Sequence, residues 1–142
     1  MTSNAEFEYD LGVVGLGYVG LPLAVESSKQ GLKVIGYDIN PERVEMINNG
    51  ISPIEDILND ELSDVLNNFH STLDGKLLSK CQNIVISVPT PLTDYQPDLS
   101  FVINAAKTVG ENLVKNQVII LESTTYPCLL YTSPSPRDGI LS

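Results

Sequence analysis

Gly15, Gly17 and Gly20 stand in the run Gly15-Leu16-Gly17-Tyr18-Val19-Gly20, directly after the apolar stretch Leu11 to Val14. That spacing suits a backbone cradle for a dinucleotide. Gly15 would allow a tight turn out of a strand, Gly17 would let the backbone approach a pyrophosphate, and Gly20 would let the next helix pack closely. Free N–H groups at that helix start would take the phosphate charge. Pro22 fits a first helical turn, where a missing N–H costs little. Asp38 follows a second apolar stretch, Leu32 to Tyr37, at the distance expected for a carboxylate that accepts the adenosine ribose hydroxyls. It would repel a 2′-phosphate and so favours NAD over NADP. The alternative is a glycine turn followed by a strand-end Asp that caps the next helix. Arg43, on a helix opening Asn40-Pro41-Glu42, lies either against the adenine or in solvent as a surface charge.

Two more polar clusters follow apolar runs. Pro89-Thr90-Pro91 comes after Asn83 to Val88, and Glu122-Ser123-Thr124-Thr125-Tyr126-Pro127 comes after Val118 to Leu121. Thr90 is placed to touch the cofactor, unless the segment is only a rigid proline turn. The hydroxyls and carboxylate of the second cluster can order water or polarise a substrate oxygen, or can simply tie up a loop. Cys81 reads as a small buried filler and His70, the one histidine, as a loop or strand-edge residue. No metal is expected.

The elements that must position these residues alternate between apolar and helical segments. This pattern predicts an α/β fold, a Rossmann-like doubly wound parallel sheet, with ligands beyond the carboxyl ends of the strands. Val19, Leu23 and Ala24 mark one face of the first helix, which Gly31 closes. Pro53 to Phe69 reads as one or two amphipathic helices, His70 to Leu73 as a short strand and Asn83 to Val88 as a buried one. Pro97-Asp98 caps a helix with Leu99, Val102, Ile103, Ala106, Val109 and Leu113 along one face. The 142 residues make a single domain, short for a complete dinucleotide-dependent enzyme. Eighteen acidic against eight basic residues give a net charge of -10, which argues against nucleic acid or an anionic membrane as partner. Two cysteines and a polar start without an apolar signal core point to the cytoplasm.

Four separated motifs in order, Val14 to Ala24, Gly36-Tyr37-Asp38, Val88-Pro89-Thr90-Pro91-Leu92 with Pro97-Asp98-Leu99-Ser100, and Glu122 to Pro127, resemble the UDP-glucose/GDP-mannose dehydrogenase family. Pro-Thr-Pro-Leu and Glu-Ser-Thr-Thr-Tyr-Pro look most like its bacterial UDP-N-acetylhexosamine 6-dehydrogenases, which feed surface-polysaccharide synthesis. The resemblance implies two successive NAD-dependent oxidations of the sugar C6 alcohol to a carboxylate, through a thiohemiacetal and a thioester on a cysteine. By motif match, Gly15, Gly17, Tyr18, Val19 and Gly20 would hold the pyrophosphate, Asp38 and Arg43 the adenosine end, and Pro89 and Thr90 the region towards the nicotinamide. Thr124 would order the catalytic water, with Glu122 beside it. The implied partner is a UDP-sugar, and the parent enzyme is expected to be a homo-oligomer.

The resemblance runs from Leu11 to Pro127. We therefore expect residues 1–127 to be the NAD-binding domain and 128–142 a tail foreign to the family, whose Ser and Pro content suits disorder. The family's nucleophile belongs to a later segment, so Cys128 is not expected to be it, and these residues alone should not turn over substrate. A free-standing NAD-binding regulatory module, or a UDP-glucose or GDP-mannose enzyme, remains the alternative.

Overall fold

A computed structural model describes residues 7–122. Five strands lie parallel in one sheet: β1 (Tyr9–Val14), β2 (Val34–Tyr37), β3 (Phe69–Thr72), β4 (Cys81–Ile86) and, last in the chain, β7 (Val118–Leu121). Their spatial order is β3-β2-β1-β4-β7. The order reverses between β1 and β4, which pair in register from Tyr9 with Cys81 to Val14 with Ile86. The doubly wound parallel sheet expected from the sequence is present, and its switch point lies where the glycine run emerges.

Helices cover both faces. α1 (Gly20–Lys29), α2 (Pro41–Asn48) and α3 (Asn59–Val65) share one core with Val13 and Val85. α4 (Ser100–Glu111) and a short 3-10 helix at Gly75–Lys80 cover the other, around Val14, Ile35, Ile84 and Ile86. α1 buries Leu21, Ala24 and Val25, the leucine and the valine each contributing roughly 1.5–3 kcal/mol relative to exposure. This stripe corrects the expected face: Val19 precedes the helix and is 45% exposed, and Leu23 packs only partly. Gly31 closes α1 at a φ of 95°, as expected.

α2 starts under an Asn40 cap, whose side chain accepts the Glu42 and Arg43 N–H groups. Asn48 at its far end latches to β3, donating to the Ser71 carbonyl and accepting the Ser71 N–H at 3.1 Å. α2 therefore holds Arg43 in a fixed place.

The stretch from Pro53 to Phe69 holds one of the one or two helices expected, seven residues long, while Ile54 and Ile57 reach the core from a turn stabilised by Ser52. Two expectations change. Strand limits move by a few residues, and β3 begins at Phe69, whose ring is fully buried. On α4 the inward stripe is Ala105 and Val109 with Val102 half-buried, whereas Leu99, Ile103, Ala106 and Leu113 face outward. An apolar pattern two stripes wide names no single inward face.

Between β4 and α4 the chain adds a small hairpin, β5 (Leu92–Thr93) with β6 (Gln96–Pro97). Asp94 and Tyr95 both have positive φ at its tip, the turn handedness that matches the twist of a two-residue hairpin. Asp98 accepts the Ser100 N–H at 2.9 Å from one residue before the N-cap position, which is Leu99 and carries no side-chain cap, so the expected Pro97-Asp98 cap is displaced by one residue.

Candidate functional site

The carboxyl ends of β1, β2, β4 and β7 open onto one cavity of about 580 Å³. The three glycines of the opening run have separate structural reasons. Gly15 has a φ of 98°, and a Cβ there would meet the Ser87 carbonyl oxygen at 2.6 Å. A Cβ on Gly20 would collide with the Gly15 carbonyl oxygen, so the helix start can press on the turn only because Gly20 lacks a side chain. At Gly17 a Cβ would meet nothing within 4 Å. Its open side belongs to the cavity that it lines.

The start of α1 carries backbone N–H groups that no side chain caps among the described residues. It has no acidic residue in its first turn. Leu21 and Leu23 donate back to Gly17 and Val19, but the N–H groups of Gly17, Tyr18 and Val19 have no partner among the described residues. Tyr18 and Val19 line the cavity. Uncommitted N–H groups and the positive end of the helix dipole together attract phosphate.

Asp38 sits just past β2, 6% exposed. Its Oδ2 accepts the Leu16 N–H at 2.8 Å and an Arg43 N–H at 3.2 Å, and its Oδ1 accepts the Asn40 N–H at 2.9 Å. Asn40, not Asp38, caps α2, which removes the cap-only alternative. A carboxylate offers about four acceptor positions, so three bonds leave room for a hydroxyl from the cavity. Arg43 lines the same cavity while paired with Asp38. The anchorage of Leu16 by Asp38 was not foreseen from the sequence, because a backbone donor carries no residue-type signal.

Pro89 and Glu122 also line the cavity, Glu122 held at the end of β7 by its N–H bond to the Ile86 carbonyl at 2.8 Å. Thr90 is buried, 4% exposed, and engaged by its surroundings. Thr124 and Cys128 lie outside the described residues. From α4, Phe101, Asn104 and Thr108 complete the far wall, and sequence reasoning missed them. His70 lies on the edge strand β3, where it lines a separate polar cavity at the opposite end of the sheet with Lys33 and Asn68. Cys81 is fully buried, and burial pushes its thiol up to about 12.

Residues 9–130 match the sequence profile described as the UDP-glucose/GDP-mannose dehydrogenase family, NAD binding domain. The chain belongs to this family. The UDP-N-acetyl-D-glucosamine 6-dehydrogenase of Pseudomonas aeruginosa is 40% identical over 118 residues, 82% of this chain and 28% of that protein. The UDP-N-acetyl-D-mannosamine dehydrogenase of Yersinia pestis is 36% identical over 122 residues, covering 81% and 28%. Among solved structures, the UDP-D-ManNAc dehydrogenase of Pyrococcus horikoshii superposes with a TM-score of 0.78 at 35% identity, over 86% of this chain and 30% of that one. The chain thus spans less than a third of the length of these relatives.

The family domain binds NAD, and the residues present fit that cofactor: an open glycine, uncommitted amides at a helix start, and a buried carboxylate with acceptor capacity to spare. Bound there, NAD supplies a hydride acceptor. Among the described residues, no helix is long and apolar enough to cross a membrane.

Proposed function

We propose that this chain is the NAD-binding part of a nucleotide-sugar 6-dehydrogenase that oxidises the C6 alcohol of a UDP-N-acetylhexosamine to a carboxylate, for surface-polysaccharide precursors. The observation that carries the reading is the convergence on one cavity of the uncapped α1 start, the Asp38 carboxylate and Glu122. The UDP-N-acetylhexosamine enzymes named above are 35–40% identical to this chain, more than a UDP-glucose dehydrogenase at 30% or a GDP-mannose dehydrogenase at 27%, which supports that sugar class over glucose or mannose.

The residues take separate tasks. Gly15, Gly17, Tyr18, Val19 and Gly20 bind the diphosphate through backbone. Asp38 orients the adenosine ribose, with Arg43 beside it steadying the carboxylate charge. Pro89 and Thr90 shape the nicotinamide end. Glu122, with Thr124 beyond the described residues, orders the water that the second oxidation consumes. Alcohol to carboxylate removes two hydrides, so two NAD are reduced for each sugar and one water oxygen enters the product.

Residues 1–127 make up the cofactor domain, and 128–142 are a tail outside it. Cys81 cannot serve as the nucleophile, since its thiol is buried and held neutral. The 142 residues alone would then bind NAD without turning over sugar. The whole enzyme is taken to act in the cytoplasm as a homo-oligomer.

The test uses the complete reading frame that contains these residues. With UDP-N-acetylglucosamine, UDP-N-acetylmannosamine, UDP-glucose and GDP-mannose offered in turn, NADH should accumulate fastest with one of the first two, at two NADH per sugar acid. Turnover confined to UDP-glucose or GDP-mannose would contradict the proposed substrate.

A further inference from the structure

Ser87, next after β4, is 6% exposed and lines the cavity, yet its Oγ is closed off and has no hydrogen-bond partner among the described residues. The other buried polar side chains differ: Ser28 donates to the Ala24 carbonyl, Ser71 to the Val44 carbonyl, Asp38 is triply engaged, and Thr90 is engaged as well. A buried hydroxyl left unpaired costs free energy that a bound partner would return. An isolated exception of this kind at the wall of a ligand cavity points to the ligand.

Its place in the sheet says which part of the ligand. Side chains alternate along a strand; Val85 belongs to the core under α1, Ile84 and Ile86 to the opposite one, so Ser87 lies on the α1 face. Its N–H donates to the Val14 carbonyl at 2.7 Å, and its carbonyl oxygen is the atom that a Cβ on Gly15 would strike. Ser87 is thereby seated against the first turn of the glycine loop, and lines the same cavity as Gly17, Tyr18 and Val19 with their uncommitted amides. Rotation about χ1 between staggered wells moves a serine Oγ without moving the backbone.

We propose that Ser87 is a further diphosphate-binding residue: with NAD bound, its side chain turns to the cavity and the Oγ hydroxyl donates to a phosphate oxygen. This rests on NAD occupying the crevice as proposed above. The donor adds a side-chain contact to a cradle otherwise built from backbone, and links the end of β4 to the cofactor.

The test is calorimetric titration of the 142-residue chain and its Ser87→Ala and Ser87→Cys variants with NAD, ADP-ribose and adenosine, together with the ligand-free thermal midpoint. Ser87→Ala should bind NAD and ADP-ribose about 3–10-fold more weakly, the effect of one lost hydrogen bond, and adenosine unchanged. Ser87→Cys, similar in shape but a weak donor, should lose most of the same affinity. The ligand-free midpoint should not fall in Ser87→Ala, because that variant deletes an unpaired hydroxyl. Equal NAD affinity in wild type and Ser87→Ala overturns the assignment and leaves NAD binding intact. An equal loss for adenosine overturns the phosphate contact. No NAD binding by the unsubstituted chain overturns both readings.

Discussion

Leu16 donates its backbone N–H to Asp38 Oδ2 at 2.8 Å, across 22 positions of sequence. The acid at the end of β2 therefore holds the glycine turn that follows β1, in addition to facing the cofactor cavity. Asp38→Ala should show both losses. Leaving the buried Leu16 amide unpaired should cost about 1–3 kcal/mol of stability, and removing the ribose acceptor should weaken NAD by about 1–3 kcal/mol. Urea unfolding with and without NAD separates the two; a variant as stable as wild type would show that the loop does not need this anchor.

The glycines should respond differently to the same change. Gly20→Ala drives a Cβ into the Gly15 carbonyl and should destabilise the fold by about 1–3 kcal/mol, as overpacking does. Gly17→Ala meets open space and should keep stability within about 0.5 kcal/mol while lowering NAD affinity. Thermal unfolding beside NAD titration reads this contrast.

Burial holds the Cys81 thiol neutral, and Gly12 leaves room for it: a Cβ there would sit 2.8 Å from its Sγ. The folded thiol titrates near 12 against an ordinary 9.0, so the unfolded chain releases its proton first. The contribution to stability is intact below pH 9.0 and is lost as pH rises towards 12. In mildly alkaline iodoacetamide, peptide mapping should find Cys81 unmodified in the folded protein and carboxamidomethylated in urea.

Val118, Ile119, Ile120 and Leu121 are all exposed on β7, which ends the strand order among the described residues. An exposed apolar edge strand invites pairing with another chain. The 142-residue chain should self-associate with rising concentration, and Ile119→Lys should reduce light scattering while changing stability by no more than about 0.5 kcal/mol.

Much of the fold was legible because parallel strands buried on both faces leave continuous apolar runs, as in Leu11 to Val14 and Ile84 to Ile86. The glycine run and Asp38 were legible for a local reason: each needs its residue type at a set spacing. What the sequence hid depends on tertiary placement. Gly75–Lys80 forms a 3-10 helix with no period long enough to read, and the α4 wall of the cavity uses Asn104 and Thr108, ordinary residues made relevant only by the crossover that sets them opposite Asp38. The Ser87 hydroxyl is equally invisible in the sequence, since its distinction is the absence of a partner among the described residues.

Calorimetric titration of the chain with NAD and, separately, with NADP tests the central claim most directly. The buried Asp38 carboxylate, which lines the cavity, should admit NAD and bind NADP at least about tenfold more weakly, since a 2′-phosphate would lie against an acidic side chain. Equal affinities for the two, or no binding of NAD, would contradict the assignment of this crevice.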